Sequence, residues 1–207
     1  MYKRQPRYAY ERMDLSPVLS WVERHDDGRG RILVEGPLYG EFLAWSTDAQ
    51  IVGGFAQRNV RHAWANLFRW DPLGQVGSGE LRRYLETYAI HWIIVTSPGV
   101  EAPWWDAHPE VLEPAEPIGP WRTYRVRRPT ALAKSGAVDV DVRASTNRIQ
   151  VAGSDPQRDV ILRYQWLETL ACRPDCEVSP REETGRRMPL MVVPAPHPAD
   201  FEIYNAY

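Results

Sequence analysis

The chain has 207 residues, of which 43% are hydrophobic and 25% charged, with a formal net charge of -2. That balance fits a globular protein of one large or two small domains and excludes a disordered or fibrous one. Arginines are interleaved with acids, as in "RRYLETY" and "SPREETGRR", which argues against nucleic acid as the main partner. The longest apolar stretch, "AIHWIIV", falls well short of the roughly 20 residues that cross a bilayer.

The opening "MYKRQ" reads as the translation of a sequencing adaptor from a GTG start. Lys3 is one of only two lysines, the other being Lys134, in a chain whose basic residues are otherwise arginine. The alternative is a short natural tail. Residues 1–5 are therefore set apart from fold reasoning.

Residues 6–128 are expected to form an α/β domain. Ser16 as N-cap and Pro17 as first helical residue start a helix with Leu15, Val18, Leu19 and Val22 on one face, ended by Gly28 and Gly30. "RILVEG" and "DAQIVGGF" each hold a short apolar strand. "NVRHAWANLFRW", residues 59–70, places Val60, Ala63, Trp64, Leu67 and Phe68 on a helical face. "SGELRRYLETY" predicts a helix with Leu81, Tyr84, Leu85 and Tyr88 along one side, and Ile90 to Val95 a strand apolar enough to be buried on both faces. The strand in "PWRTYRVRRP" closes the unit, with Pro129 at the boundary. The fold class is α/β followed by β.

Residues 129–207 change period and predict a small antiparallel, β-sandwich-like domain. Val138, Val140 and Val142 alternate with Asp139, Asp141 and Arg143, turn at residues 145–147 and return through Ile149 and Val151, the pattern of a hairpin. "DVILRYQWL", "MPLMVVPAP" and "FEIYNAY" supply three more strands between Pro- and Gly-rich turns.

Few residues point to chemistry. Gly53 to Phe55 lacks the Lys-Ser/Thr of a phosphate loop and the three-glycine spacing of a dinucleotide site. The histidines are scattered, and His62 and His91 sit among apolar neighbours as structural histidines do. Arg58, Arg61 and His62 follow the glycine pair and could bind an anion, or form a solvated helix face. Trp104 and Trp105, adjacent in a Pro-rich loop and among nine tryptophans, could stack on a sugar, sit at a membrane interface or pack beneath their loop. Cys172 and Cys176 in "CRPDC" are either a disulfide pair or two reduced thiols; zinc would need ligands that are not nearby.

Taken in order, "RILVEG", "IVGGF", "LRRYLETYAIHWIIVTSP", "WRTYRVRRP", "NRIQVAG", "VILRYQWLETL" and "FEIYNAY" resemble the soluble C-terminal region of bacterial polytopic membrane proteins of the GT-C glycosyltransferase type. The nearest in pattern are those labelled membrane protein, 6-pyruvoyl-tetrahydropterin synthase-related domain. The zinc-binding histidine set of the pterin enzyme is missing from this chain. The resemblance implies a Rossmann-like α/β layer, a periplasmic position beside the bacterial inner membrane, and an upstream bundle of transmembrane helices. It also implies transfer from a polyprenyl-phosphate-linked sugar to a glycan acceptor, with an upstream acidic residue as base or divalent-metal partner. No catalytic residue, cofactor or metal is carried onto this chain. The alternatives are a non-catalytic envelope interaction or carbohydrate-binding module and a free-standing cytosolic α/β enzyme, the latter disfavoured because no phosphate loop or nucleophile appears.

Overall fold

The structure, a computed structural model, describes residues 14–52, 76–96, 102–145, 147–182 and 189–206. Among these, four helices accompany three sheets, and strands dominate the chain beyond residue 111.

The first helix, α1 (Ser16–His25), begins one residue earlier than its sequence suggests. Leu15 occupies the cap position, Ser16 is already helical, and the Asp14 carboxylate accepts the Ser16 N–H at 3.0 Å. That hydrogen bonding, with the Ser16 hydroxyl and amide, holds the Asp14 carboxyl below its usual range. Val18, Trp21 and Val22 form the buried stripe, and Trp21 Nε1 donates to the Glu116 carbonyl at 3.2 Å. After β1 (Arg31–Val34) comes a helix that the sequence pattern did not announce, α2 (Pro37–Ser46). Its apolar residues do not keep to one face: Leu43 is buried while Trp45 is 92% exposed. Without a stripe, periodicity gives no helical signal.

The strand β2 (Ile51–Val52), the helix α3 (Ser78–Thr87) and the strand β3 (Ile90–Val95) follow the expected order. Leu81, Tyr84 and Leu85 are the buried side of α3. The short helix α4 (Ala102–Asp106) leads to β4 (Leu112–Pro114) and β5 (Arg122–Val126). These strands form one sheet in the order β2-β1-β3-β5-β4; β2, β1 and β3 are parallel, and β5 and β4 run antiparallel to their neighbours. Ile32, Val34 and Ile94 point to a core shared with Trp21 and Val22 of α1 and Leu43 of α2. Leu33, Ile93 and Val95 point the other way, to α3 and to Trp105 of α4. Helices thus cover both faces, which is why β3 reads as a continuous apolar run. Each fully buried side chain of this kind contributes about 1.5–3 kcal/mol relative to exposure.

Two antiparallel sheets follow. One has the order β12 (Ser179–Arg181), β13 (Leu190–Val193), β10 (Val160–Gln165), β6 (Ala133–Ser135), β7 (Val138–Asp139). The other runs β11 (Leu170–Arg173), β14 (Phe201–Asn205), β9 (Arg148–Ala152), β8 (Asp141–Ser145). Their inner faces share one core, with Val160, Leu162 and Val193 against Val151, Phe201 and Ile203. The Val138–Arg143 alternation, read from sequence as one strand, is divided between the sheets. Val138 is 66% exposed on β7, Val140 turns inward at the corner, and Val142 lies in β8. A chain that leaves one packed sheet for the other must bend, and alternation alone does not mark the bend. The β8–β9 hairpin itself turns as expected, with Ser145 opposite Arg148 and Asn147 at φ 58°.

The two halves meet at a packed junction. The Arg31 guanidinium lies 4.5 Å from the centre of the Tyr164 ring and donates to the Tyr88 carbonyl at 2.7 Å. The Tyr164 hydroxyl donates to Gln50 Oε1 at 2.7 Å. His91 is structural: it lies 3.2 Å from the Thr130 carbonyl through Nε2, and its ring occupies the space that a side chain on Gly30 would need.

Candidate functional site

The outer face of the four-stranded sheet carries a row of polar side chains. Register places Arg143 of β8 opposite Gln150 of β9, Gln150 opposite Glu202 of β14, and Glu202 opposite Arg173 of β11. Because side chains alternate across a strand, these four share one face. Arg148, two residues before Gln150, joins them. Both carboxylate oxygens of Glu202 are engaged: Arg173 Nη2 donates to Oε1 at 2.6 Å, and Arg148 Nε lies 3.3 Å from Oε2. The Glu202 side chain is only 16% exposed. Arg173 also lies over the Tyr204 ring, 4.9 Å from its centre.

This face borders an open hollow of about 600 Å³, with Asp141 and Asp200 at one end and Arg173 and Pro174 at the β11 edge. Asp200 Oδ1 accepts the Gly153 N–H at 2.8 Å, which fixes that rim. Arg143 has neither an ion pair nor a side-chain hydrogen bond among the described residues. Two arginines, Arg143 and Arg173, and three carboxylates, Asp141, Asp200 and Glu202, line the hollow, so it offers interleaved donors and acceptors with no positive surplus. Gln150 adds one of each. Such a surface suits a ligand rich in hydroxyl groups better than an anion.

Cys172 and Cys176 are joined in a disulfide, with Cα atoms 5.3 Å apart. Both cysteines pack against the core between the sheets. The bridge closes the loop that carries Pro174, so one edge of the hollow is tied to the core beneath it. The loop is also flanked by β11 and β12, two short strands that the sequence read only as a connection.

The remaining expected residues do not gather here. Arg58, Arg61, His62 and the expected 59–70 helix lie outside the described residues. Trp104 and Trp105 belong to α4 instead of a loop. Trp105 is fully buried against Tyr124, with no face left for a ligand, and Trp104 packs edge-on to it at 4.7 Å. The α/β layer also holds a Ser, a His and a Glu in contact, Ser78, His108 and Glu110. Ser78 Oγ lies 2.8 Å from His108 Nδ1, and Glu110 Oε1 approaches that same nitrogen at 3.8 Å. A catalytic relay needs the acid and the nucleophile on opposite ring nitrogens. Here both approach Nδ1, and Nε2 is buried without a hydrogen bond among the described residues, so the three are not arranged as a relay. The Ser78 hydrogen bond, ahead of the His108 and Arg82 charges, holds the Glu110 carboxyl below its usual range.

No cluster of His, Cys, Asp and Glu suited to a metal ion occurs among the described residues, and none of their helices is long and apolar enough to cross a membrane. The polar row itself was hidden in the sequence. Its parts were visible as polar positions of alternating strands, but Arg143 and Glu202 come together only through the strand order. Comparison of the chain with protein-family models, curated protein sequences and solved structures found no match.

Proposed function

We propose that this chain is an extracytoplasmic, carbohydrate-binding accessory domain of a membrane glycosyltransferase-like protein of the GT-C type, acting in envelope polysaccharide or glycolipid assembly. In this reading residues 6–128 are a Rossmann-like α/β layer and residues 129–207 a β-sandwich-like domain. The helices on both faces of the parallel β2-β1-β3 strands support the first part, and the shared core of the antiparallel sheets supports the second. The disulfide favours an oxidising compartment, the periplasm. Glycosyl transfer, any divalent metal and the membrane-spanning helices belong to other parts of the protein, and this domain holds the glycan acceptor or the sugar of a polyprenyl-phosphate-linked donor.

The polar row Arg143–Gln150–Glu202–Arg173, rimmed by Asp141 and Asp200, carries the proposal. Planar guanidinium, amide and carboxylate groups side by side can each engage two neighbouring hydroxyls of a pyranose. Glu202 is held by its two arginines before any ligand arrives, so little ordering cost remains. Calorimetric titration of the 207-residue chain with neutral envelope-type oligosaccharides tests it. Saturable binding that weakens about tenfold in Arg143→Ala and in Gln150→Ala, with unchanged thermal stability, is the expected result. Binding untouched by both substitutions, or no binding across the oligosaccharide panel, overturns it.

A further inference from the structure

A second hollow, of about 490 Å³, opens at the end of β5 on the other half of the molecule. Four arginines line it, Arg82, Arg125, Arg127 and Arg128, together with the carboxylates Glu110 and Glu113. The charges do not cancel. Arg127 pairs with Glu113 at 3.8 Å, and its Nε donates to the carbonyls of Pro109 and Leu112 at 2.8 and 3.2 Å. Glu110 is drawn to Ser78 and His108, and Arg82 donates to its carbonyl at 3.5 Å. Arg125 and Arg128 have no carboxylate partner among the described residues. Arg125 instead lies over the Trp92 ring, 5.8 Å from its centre. A surplus of two positive charges remains, in contrast to the hollow on the four-stranded sheet, where two arginines meet three carboxylates.

The backbone provides a second, independent observation. Arg128 has φ 56°, in the left-handed region, and is followed by Pro129. Residues with a β-carbon avoid this region, and strain of this kind persists only where the surrounding structure enforces it. Its effect here is geometric. Consecutive residues of an extended strand point to opposite faces, whereas the turn at Arg128 lets Arg127 and Arg128 line the same concavity.

We propose that this hollow binds a phosphate-bearing anion, through the guanidinium groups of Arg125 and Arg128 with Arg82 and Arg127 at its sides. Guanidinium forks match phosphate oxygens in geometry as well as charge. A free diphosphate and a phospholipid headgroup share that chemistry. The site is separate from the glycan reading and stands or falls without it.

Inorganic diphosphate titrated into the 207-residue chain at low salt tests one source; co-sedimentation with vesicles of phosphatidylcholine, alone or mixed with phosphatidylglycerol, tests the other. The R125A/R128A double substitution is expected to weaken binding about tenfold or more, and added salt to weaken it further. Because loss in that variant could reflect a disturbed fold, Arg128→Gly gives the sharper result. Glycine relieves the left-handed strain, so its unfolding midpoint should equal or exceed that of the parent while anion binding falls. Arg143→Ala, on the other hollow, should bind diphosphate as the parent does. Diphosphate binding with these losses assigns the site to free phosphates, and association with the phosphatidylglycerol vesicles alone assigns it to headgroups. No saturable binding of either, or binding unchanged in R125A/R128A, overturns the proposal.

Discussion

The junction between the two halves can be tested at Tyr164. Burial, the largest influence, raises the phenol above its usual range, so at neutral pH the hydroxyl is protonated and donates to Gln50 Oε1 at 2.7 Å. Tyr164→Phe removes that donor and leaves the ring beneath Arg31 in place. Gln50 is half-buried, so water can replace the lost partner only in part. The net contribution of such a hydrogen bond is about 0.5–1.5 kcal/mol, and a loss near 1 kcal/mol is expected. Tyr164→Ala also deletes the ring and its contact with the guanidinium, whose distance of 4.5 Å is well inside the range of a cation–π interaction. The ring is partly exposed, so the low end of the usual aromatic-to-alanine range applies, about 3 kcal/mol.

Urea unfolding followed by tryptophan fluorescence and far-ultraviolet circular dichroism reads both quantities. The parent should unfold in one transition with the two signals coincident, because the junction couples the halves. Tyr164→Ala should separate the signals. A double-mutant cycle of Tyr164→Phe with Gln50→Ala should give a coupling of about 0.5–1 kcal/mol. Additivity of the two changes within about 0.3 kcal/mol would refute the hydrogen bond as a source of stability.

Three further outcomes are expected. Replacing Cys172 and Cys176 with serine opens a loop of sequence separation 4, for which loop-closure entropy gives about 2 kcal/mol; urea midpoints with and without reductant measure it. Tyr124, buried and donating to Asp106 Oδ1 at 2.8 Å, has its phenol pushed up to about 12, by burial first and that hydrogen bond second. The folded state therefore holds this proton more tightly than the unfolded chain. Its contribution is fully present below about pH 10 and is lost toward pH 12, up to about 3 kcal/mol, and Tyr124→Phe should flatten that alkaline slope in a pH series of urea midpoints. Gly30→Ala drives a β-carbon into the His91 ring and should cost about 1–3 kcal/mol, part of which His91→Ala in the same background should restore.

Legibility in the sequence followed the range of the forces involved. The α3–β3 segment was readable because its helix stripe and apolar run are both local, and the β8–β9 hairpin because a two-residue turn sits between alternating strands. The helix α2 was not, since Leu43 faces the core while Leu38 and Trp45 face outward. Strands of two to four residues such as β4, β6, β11 and β12 owe their form to the neighbours they pair with, and short apolar pieces carry no period of their own. Trp105 shows the same limit. Its proline-rich setting suggested a loop, and only the placement of α4 against β5 puts the ring in the core.

The polar row follows from the core by a single geometric step. On the inner face of the same sheet, register aligns Ala144 with Ile149, Ile149 with Ile203, and Ile203 with Cys172. All four pack in the core between the sheets. A slip of one residue in any of these pairings would turn an arginine or Glu202 inward and an apolar side chain outward, and the cost of burying an unpaired charge forbids it. The spacing of Arg143, Gln150, Glu202 and Arg173 is therefore as fixed as the core itself. The disulfide adds to this at β11, an edge strand with a partner on one side only, by joining the core-facing Cys172 to the loop beside Arg173. If the row binds a glycan as proposed, it needs no loop to close over its ligand. Changes that alter binding without touching the row should then be those that move a register, and Asn147, which supplies the left-handed turn between β8 and β9, is the position where one substitution reaches both faces at once.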